Sequence, residues 1–85
     1  MYPRPMNVEY IGEYKLLVTF DNMEKRIFDA GEILSCKGFI SLRNKGIFKN
    51  ARVKHNTLEW PNGKDMCPDD LYGLSKPFHD FNGEV

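Results

Sequence analysis

The sequence has no apolar run that approaches the roughly 18 residues needed by a membrane-spanning helix. Its opening residues, 1–6, also lack the hydrophobic stretch of a secretory signal. The chain of 85 residues is long enough for one domain and leaves little room for a second. We therefore expect a single small domain that is cytoplasmic and makes no contact with a membrane.

Cysteine is scarce: Cys36 and Cys67 are too few for a disulfide scaffold and lack the close spacing of a metal-binding clip. Together with His55 and His79 they are residue types that zinc accepts as ligands. The four residues are scattered singly, however, so unrelated core or surface positions are the simpler interpretation. The seven glycines are dispersed and form no phosphate-binding loop. We expect no metal and no cofactor.

An excess of either charge is also absent, because 12 Lys and Arg balance 12 Asp and Glu. A neutral chain does not exert the overall field of a dedicated nucleic-acid binder. The charges are nevertheless unevenly placed, since residues 65–85 are acidic and residues 37–54 contain bases only, namely Lys37, Arg43, Lys45, Lys49, Arg52 and Lys54. This segment predicts a solvated basic face, with a nucleic acid or an acidic protein as alternative partners. Phe39 and Phe48 could stack on bases only if exposed, and their spacing favours burial.

Alternating apolar and polar residues predict three strands in the first third of the chain. Residues 6–11 place Met6, Val8 and Tyr10 on one face. Residues 14–20 follow with β-branched and aromatic side chains, and residues 24–29 return after a turn. The short connections predict an antiparallel meander.

The periodicity then changes, and residues 31–35 suffice for a single helical turn. A short helix is predicted to begin near Ser41, whose hydroxyl can cap it, and to end at Gly46. Residues 51–60 alternate again around a turn at Asn56 and predict a second hairpin. The fold class indicated is α+β, with a small antiparallel sheet (an N-terminal three-stranded meander plus a second hairpin) and two or three short helices. We assign residues 1–76 to one domain and residues 77–85 to a tail docked on the domain or on a neighbouring subunit.

Residues 60–72 hold the densest group of structural signals in the chain. Pro61 ends a strand, and Asn62 and Gly63 predict a turn. Asp65 or Cys67 can then cap a short helix that has Pro68 at its first position and two acidic residues in its first turn. Catalysis by these carboxylates, or by a Cys67 thiol activated at the helix start, is the less economical interpretation.

The order of apolar and turn residues resembles that of a family of small bacterial proteins, the domain of unknown function 2442 family, over roughly residues 3–74. The resemblance is sharpest at Trp60-Pro61-Asn62-Gly63-x-Asp65, followed by Pro68-x-x-Leu71-Tyr72. Its structural signature consists of Phe20, Phe28, Asp29, Trp60, Gly63, Asp65, Leu71 and Tyr72. The resemblance implies an α+β fold and, for many members, the antitoxin half of a two-gene toxin–antitoxin pair. It supplies no catalytic residue, and this chain lacks room after Tyr72 for the helix-turn-helix region of some relatives.

We therefore expect a non-enzymatic protein-interaction domain, the antitoxin of a bacterial pair, that binds its partner protein through a sheet edge or the aromatic tail. The predicted partner-binding residues are Lys49, Arg52, Lys54, Phe78 and Phe81. A homodimer would use the same kinds of surface. The alternatives are a small-ligand pocket near Trp60 and Tyr72, nucleic-acid binding through segment 37–54, and an enzyme that uses Asp65 or Cys67.

Overall fold

The computed structural model describes residues 2–78, apart from the side chain of Glu32. Its strands are β1 (Pro5–Gly12), β2 (Lys15–Phe20), β3 (Lys25–Asp29), β4 (Arg52–Lys54), β5 (Thr57–Glu59), β6 (Asp65–Met66) and β7 (Ser75–Pro77). The α-helices are α1 (Lys45–Phe48) and α2 (Pro68–Leu74), and Ala30–Ser35 and Ile40–Arg43 form 3-10 helices. None of the described helices is long and apolar enough to cross a membrane.

The predicted α+β class is confirmed. The antiparallel strands form a four-stranded sheet in the order β1-β2-β3-β7 and a three-stranded sheet in the order β4-β5-β6. Leu16, Val18 and Phe20 alternate along β2 and have no exposed surface, as their period of two requires. The core between the two sheets also contains Phe28, Leu42, Phe48, Leu58, Trp60 and Leu71.

Met6 departs from its predicted orientation, because its side chain remains 58% exposed. The register of β1 against β2 shifts between Pro5 and Asn7. This irregularity lets Pro5 take the inward position, while Val8 and Tyr10 still pack against the core. A bulge inserts one residue and reverses the alternation locally, which a simple pattern does not anticipate.

The predicted helix from Ser41 to Gly46 is wrong at both ends. Asn44 is the cap of α1, since its Oδ1 accepts hydrogen bonds from the Gly46 and Ile47 amides at 2.8 and 3.3 Å. Gly46 therefore lies inside the helix that it was expected to end. Ser41 belongs to the preceding 3-10 helix, which has no side-chain cap. Ser and Asn are both common helix caps, so only the tertiary arrangement decides that Asn44, and not Ser41, caps α1.

β7 was not predicted. Ser75 pairs with Phe28 and Lys76 with Ile27, so residues 75–77 add a fourth strand to the meander. The Phe78 amide extends this edge by donating to the Lys25 carbonyl at 3.0 Å. The sheet thus joins a strand from the first third of the chain to one that follows the last helix.

Candidate functional site

Trp60 lies in the core, directly after β5 of the three-stranded sheet, and packs against Phe48 of α1. It has no exposed surface, and its Nε1 donates to the Phe48 carbonyl at 3.2 Å. The two rings are stacked with their centroids 6.0 Å apart. A fully buried indole with a satisfied N–H is a packing element. Trp60 therefore offers no surface to a ligand.

The turn after Trp60 is held by Asn62. Asn62 Oδ1 accepts from the Lys64 amide at 3.1 Å, and Asn62 Nδ2 donates to Ser41 Oγ at 3.0 Å. Gly63 has a φ of +89°, a left-handed conformation that favours glycine. Of the two residues predicted to cap α2, Asp65 does not, because it lies exposed on β6. Cys67 occupies the N-cap position, but its side chain makes no capping hydrogen bond.

Asp65 lines a shallow groove on the polar face of the three-stranded sheet. The groove has a volume of about 290 Å³ and is also lined by Lys54, His55, Thr57 and Glu59. Arg52 Nε lies 3.6 Å from Glu59 Oε1 on the neighbouring strand. Two of the predicted partner-binding bases, Arg52 and Lys54, thus lie beside carboxylates of the same sheet.

Four bases of segment 37–54 differ from Arg52 in having no ion pair with a described carboxylate. Lys37, Arg43, Lys45 and Lys49, here called the basic surface, are exposed, and none forms an ion pair within the part of the chain that the structure describes. The Tyr14 hydroxyl donates to the Arg43 carbonyl, and Lys45 Nζ lies 5.7 Å from the centre of the Tyr14 ring. These contacts hold the basic surface against the turn before β2.

The aromatic residues of the same segment provide no open stacking platform. Phe48 has no exposed surface, as its spacing predicted. Phe39 is half-buried, and Lys64 Nζ lies 5.2 Å from the centre of its ring. Since bases stack only on an accessible ring face, this surface combines charge with few aromatic contacts.

A polar cluster that sequence analysis missed ties β3 to the C-terminal segment. The Arg26 guanidinium donates to Glu24 at 2.8 Å and to both Ser75 Oγ and the Ser75 carbonyl at 2.7 Å. It also lies over the Tyr72 ring at 4.0 Å, a cation–π geometry. The period of two on β3 gave a usable signal, because it places Arg26 on the same inward face as Phe28.

The cluster shifts the ionisation of two of its members. Hydrogen bonds from the Tyr72 hydroxyl, then from Arg26, lower the pKa of Glu24 below its ordinary value of 4.5. The same Glu24 hydrogen bond raises the pKa of Tyr72. With its hydroxyl already donated to Glu24 at 2.8 Å, Tyr72 serves the fold. Trp60, Asp65 and Tyr72 thus occupy three separate environments, and the structure does not assemble them into one pocket.

The outer face of the four-stranded sheet is a second candidate surface. One row across its strands consists of Glu9, Leu17, Ile27 and Lys76, and the next pairs Lys15 with Asp29. Leu17 and Ile27 are half-buried, in contrast to the fully buried residues on the inner face. Beside them lies a groove of about 370 Å³, lined by Leu74, Pro77 and residues of both rows.

The remaining predicted site residues are placed as follows. Phe78 is half-buried at the end of β7, and Phe81 lies outside the described residues. Cys36 and Cys67 are both exposed free thiols. Among the described side chains of residues 2–78, which leave out Glu32, no group of three or more His, Cys, Asp or Glu could hold a metal ion, and His79 lies beyond that range.

The comparisons with known proteins give one positive finding. The model of a family described as a protein of unknown function, DUF2442, matches residues 5–77. These residues run from the first position of β1 to the last position of β7. No curated protein and no solved structure matches the chain.

Proposed function

This chain belongs to the DUF2442 family, and we propose that it is a non-enzymatic protein-interaction domain that binds an acidic partner protein through its basic surface. The observation that carries the proposal is that Lys37, Arg43, Lys45 and Lys49 form no ion pair with any described side chain of residues 2–78, a set that leaves out Glu32. Exposed charges of one sign attract an oppositely charged surface and raise the rate of association.

The surroundings of the basic surface favour a protein over a single-stranded nucleic acid. Phe48 is buried, and Phe39 is half-buried with Lys64 Nζ 5.2 Å from its ring centre, so neither ring is a fully exposed stacking surface. A protein partner needs no such ring, because carboxylates can pair with Lys and Arg at the rim of an ordinary interface. The neutral total charge supports the same choice.

The finer proposal is that the partner is the toxin of a two-gene pair, with this chain as the antitoxin. It rests on the family resemblance described above, which implies this role for many members. A charged surface that has no ion pair among the described residues is suited to covering a partner of opposite charge. Phe78, half-buried beside β3, lies at the far edge of the four-stranded sheet from β1.

The test is co-expression of the chain with the product of the adjacent gene, followed by affinity purification and a growth assay. We expect a complex that restores growth to cells producing the neighbouring protein. The variant Lys45→Glu/Lys49→Glu should lower the association rate about tenfold or more. Lys25→Glu changes an exposed lysine on β3, outside the basic surface; it is the control and should bind as the natural chain does.

Two results would contradict the proposal. If the natural chain neither binds the neighbouring protein nor alters its toxicity, the antitoxin role is wrong. If the chain instead binds duplex DNA with an affinity that falls steeply as salt increases, and Lys45→Glu/Lys49→Glu removes that binding, the basic surface serves a nucleic acid.

A further inference from the structure

The outer face of the four-stranded sheet is apolar at its centre and charged at its margins. Leu17 and Ile27 are neighbours on the two middle strands, β2 and β3. Leu74 is 48% exposed beside them, at the end of α2. An antiparallel sheet that turns one face to water normally carries polar residues there. The apolar centre therefore indicates that this face is covered by another surface.

The charges on this face are ordered by sign. Across the row that contains Leu17 and Ile27, the outer positions are Glu9 on β1 and Lys76 on β7. In the next row Lys15 on β2 lies opposite Asp29 on β3. Each of these two rows thus has an acid on one side of the sheet's midline and a base on the other, with the signs exchanged between them. The row on the other side of the central one carries a single charge, Lys25 on β3, which lies opposite Thr19.

This order is self-complementary under one particular symmetry. The axis runs parallel to the strands and lies above the outer face, over the line between β2 and β3. Rotation about this axis brings β1 opposite β7 of a second copy and β2 opposite β3 of that copy. Leu17 then meets Ile27 of the second copy, Glu9 meets Lys76, and Lys15 meets Asp29. A two-fold interface requires this kind of matching, because the same patch serves both subunits.

A two-fold axis that runs across the strands would also bring two such faces together, but the charges of the central row disfavour it. A two-fold axis running across the strands leaves each residue of the central row opposite its own copy. Glu9 would then face Glu9, and Lys76 would face Lys76. Like charges opposed at an interface destabilise it, so the charges select the axis that runs along the strands.

We propose that two copies of this chain form a symmetric dimer by packing their four-stranded sheets face to face, with Leu17 and Ile27 at the centre. Charged pairs between Glu9 and Lys76 and between Lys15 and Asp29 flank this centre. The proposal does not depend on the proposed function, since the basic surface lies on other elements.

The size of the face sets the expected strength of the dimer. Four strands spaced about 4.8 Å apart span roughly 14 Å, and five residues along a strand span roughly 17 Å. Such a face is smaller than the roughly 800 Å² per partner of a standard stable interface. The dimer should therefore be weak and dependent on concentration, with a dissociation constant of roughly 10–100 µM.

The test is sedimentation of the full chain from about 10 µM to about 1 mM. We expect the natural protein to pass from monomer to dimer over this range. Glu9→Lys alone and Lys76→Glu alone should each raise the dissociation constant about tenfold. The double variant Glu9→Lys/Lys76→Glu should restore dimerisation, because exchanging both charges recreates the pair between subunits.

Rescue in the double variant cannot come from a contact within one chain. Glu9 and Lys76 lie on the two outer strands, about 14 Å apart at the spacing of strands in a sheet. Lys37→Glu, a change of the same kind away from this face, should dimerise as the natural chain does. Leu17→Thr keeps a strand-forming residue and removes the apolar centre, so it should abolish the dimer without unfolding the sheet.

Circular dichroism and the melting temperature measured at low concentration establish that each variant is folded. A natural chain that remains monomeric at about 1 mM overturns the proposal. So does a dimer that Leu17→Thr and both single charge reversals leave unchanged, because the subunits would then meet through another surface. A double variant that fails to regain dimerisation rejects the proposed axis.

Discussion

Arg26 makes the polar contacts that join β3 to the end of α2 and to β7. Its guanidinium reaches Glu24 and both polar oxygens of Ser75, and its flat face lies on Tyr72. The Arg26–Glu24 ion pair has only 12% and 30% side-chain exposure. A hydrogen-bonded pair that is shielded in this way contributes more than an exposed pair.

Glu24→Gln should lower the melting temperature near neutral pH, because the neutral amide cannot form the ion pair with Arg26. The pKa of Glu24 is lowered in the folded state, first by Tyr72 and then by Arg26. Its contribution to stability is therefore present above the ordinary pKa of 4.5 and disappears as the pH falls through the folded value. The gap between natural and variant melting temperatures should close in acid, as thermal scans at several pH values would show.

Glu13→Gln is the control for this experiment. Glu13 has 86% side-chain exposure and lies 3.6 Å from Lys15, so its ion pair is largely solvated. Its replacement should change the melting temperature little at any pH. If Glu24→Gln lowers the melting temperature by the same amount at every pH, then Glu24 contributes through its shape and not through its charge.

Trp60→Phe should destabilise the domain by about 2–4 kcal/mol, since it leaves a cavity in the core and removes the indole hydrogen bond to the Phe48 carbonyl. Urea unfolding followed by circular dichroism measures the effect, because the variant has lost the sole tryptophan as a fluorescent reporter. A loss of less than about 1 kcal/mol would mean that the core closes around the smaller ring.

At the scale of single elements, the four-residue helix α1 depends on its N-cap, Asn44, for hydrogen bonds to the amides of its first turn. Asn44→Ala removes an acceptor for two amides of the first turn and should cost about 1 kcal/mol. Ser41→Ala removes only an exposed hydrogen bond from Asn62 and should cost less than about 0.5 kcal/mol. Urea unfolding of both variants compares them directly. Equal losses would contradict the assignment of the cap to Asn44.

The elements that could be predicted from sequence are the strands in which apolar and polar residues alternate strictly. β2 places Leu16, Val18 and Phe20 inward, and a period of two is enough to find them. The segment between the sheets has no comparable period, so no local signal showed that Asn44, and not the predicted Ser41, caps α1. β7 contains only Ser75, Lys76 and Pro77, whose pairing is imposed by β3 and leaves no local signal.

The candidate surfaces were predictable only in outline. The concentration of bases in segment 37–54 is visible in the sequence, yet the pairing of Arg52 with Glu59 follows from the register of β4 against β5. The order of charges on the outer face likewise appears only when four strands are aligned. Sequence gives the residues of a surface, and register decides which of them face each other.

At the scale of the whole molecule, the four-stranded sheet should require its last strand. A chain that ends at Leu74 loses the Ser75 acceptors of Arg26 and the pairing of β7 with β3. Compared with a chain that ends at Phe78, it should be less stable by about 2–4 kcal/mol. Urea unfolding of the two chains measures this difference. Identical midpoints would show that β7 adds nothing to the domain.

The pairing of β3 with β7 also bears on the order in which the molecule assembles. Arg26 and Ser75 are separated by 49 positions, so the sheet cannot be completed while the polypeptide is still emerging from the ribosome as far as α2. Strands β1, β2 and β3 can pair early through local contacts, but one edge of β3 stays unpaired until β7 has been synthesised. During synthesis, that unpaired edge of β3 is the place where a nascent chain of this protein would be most prone to pair with the wrong strand.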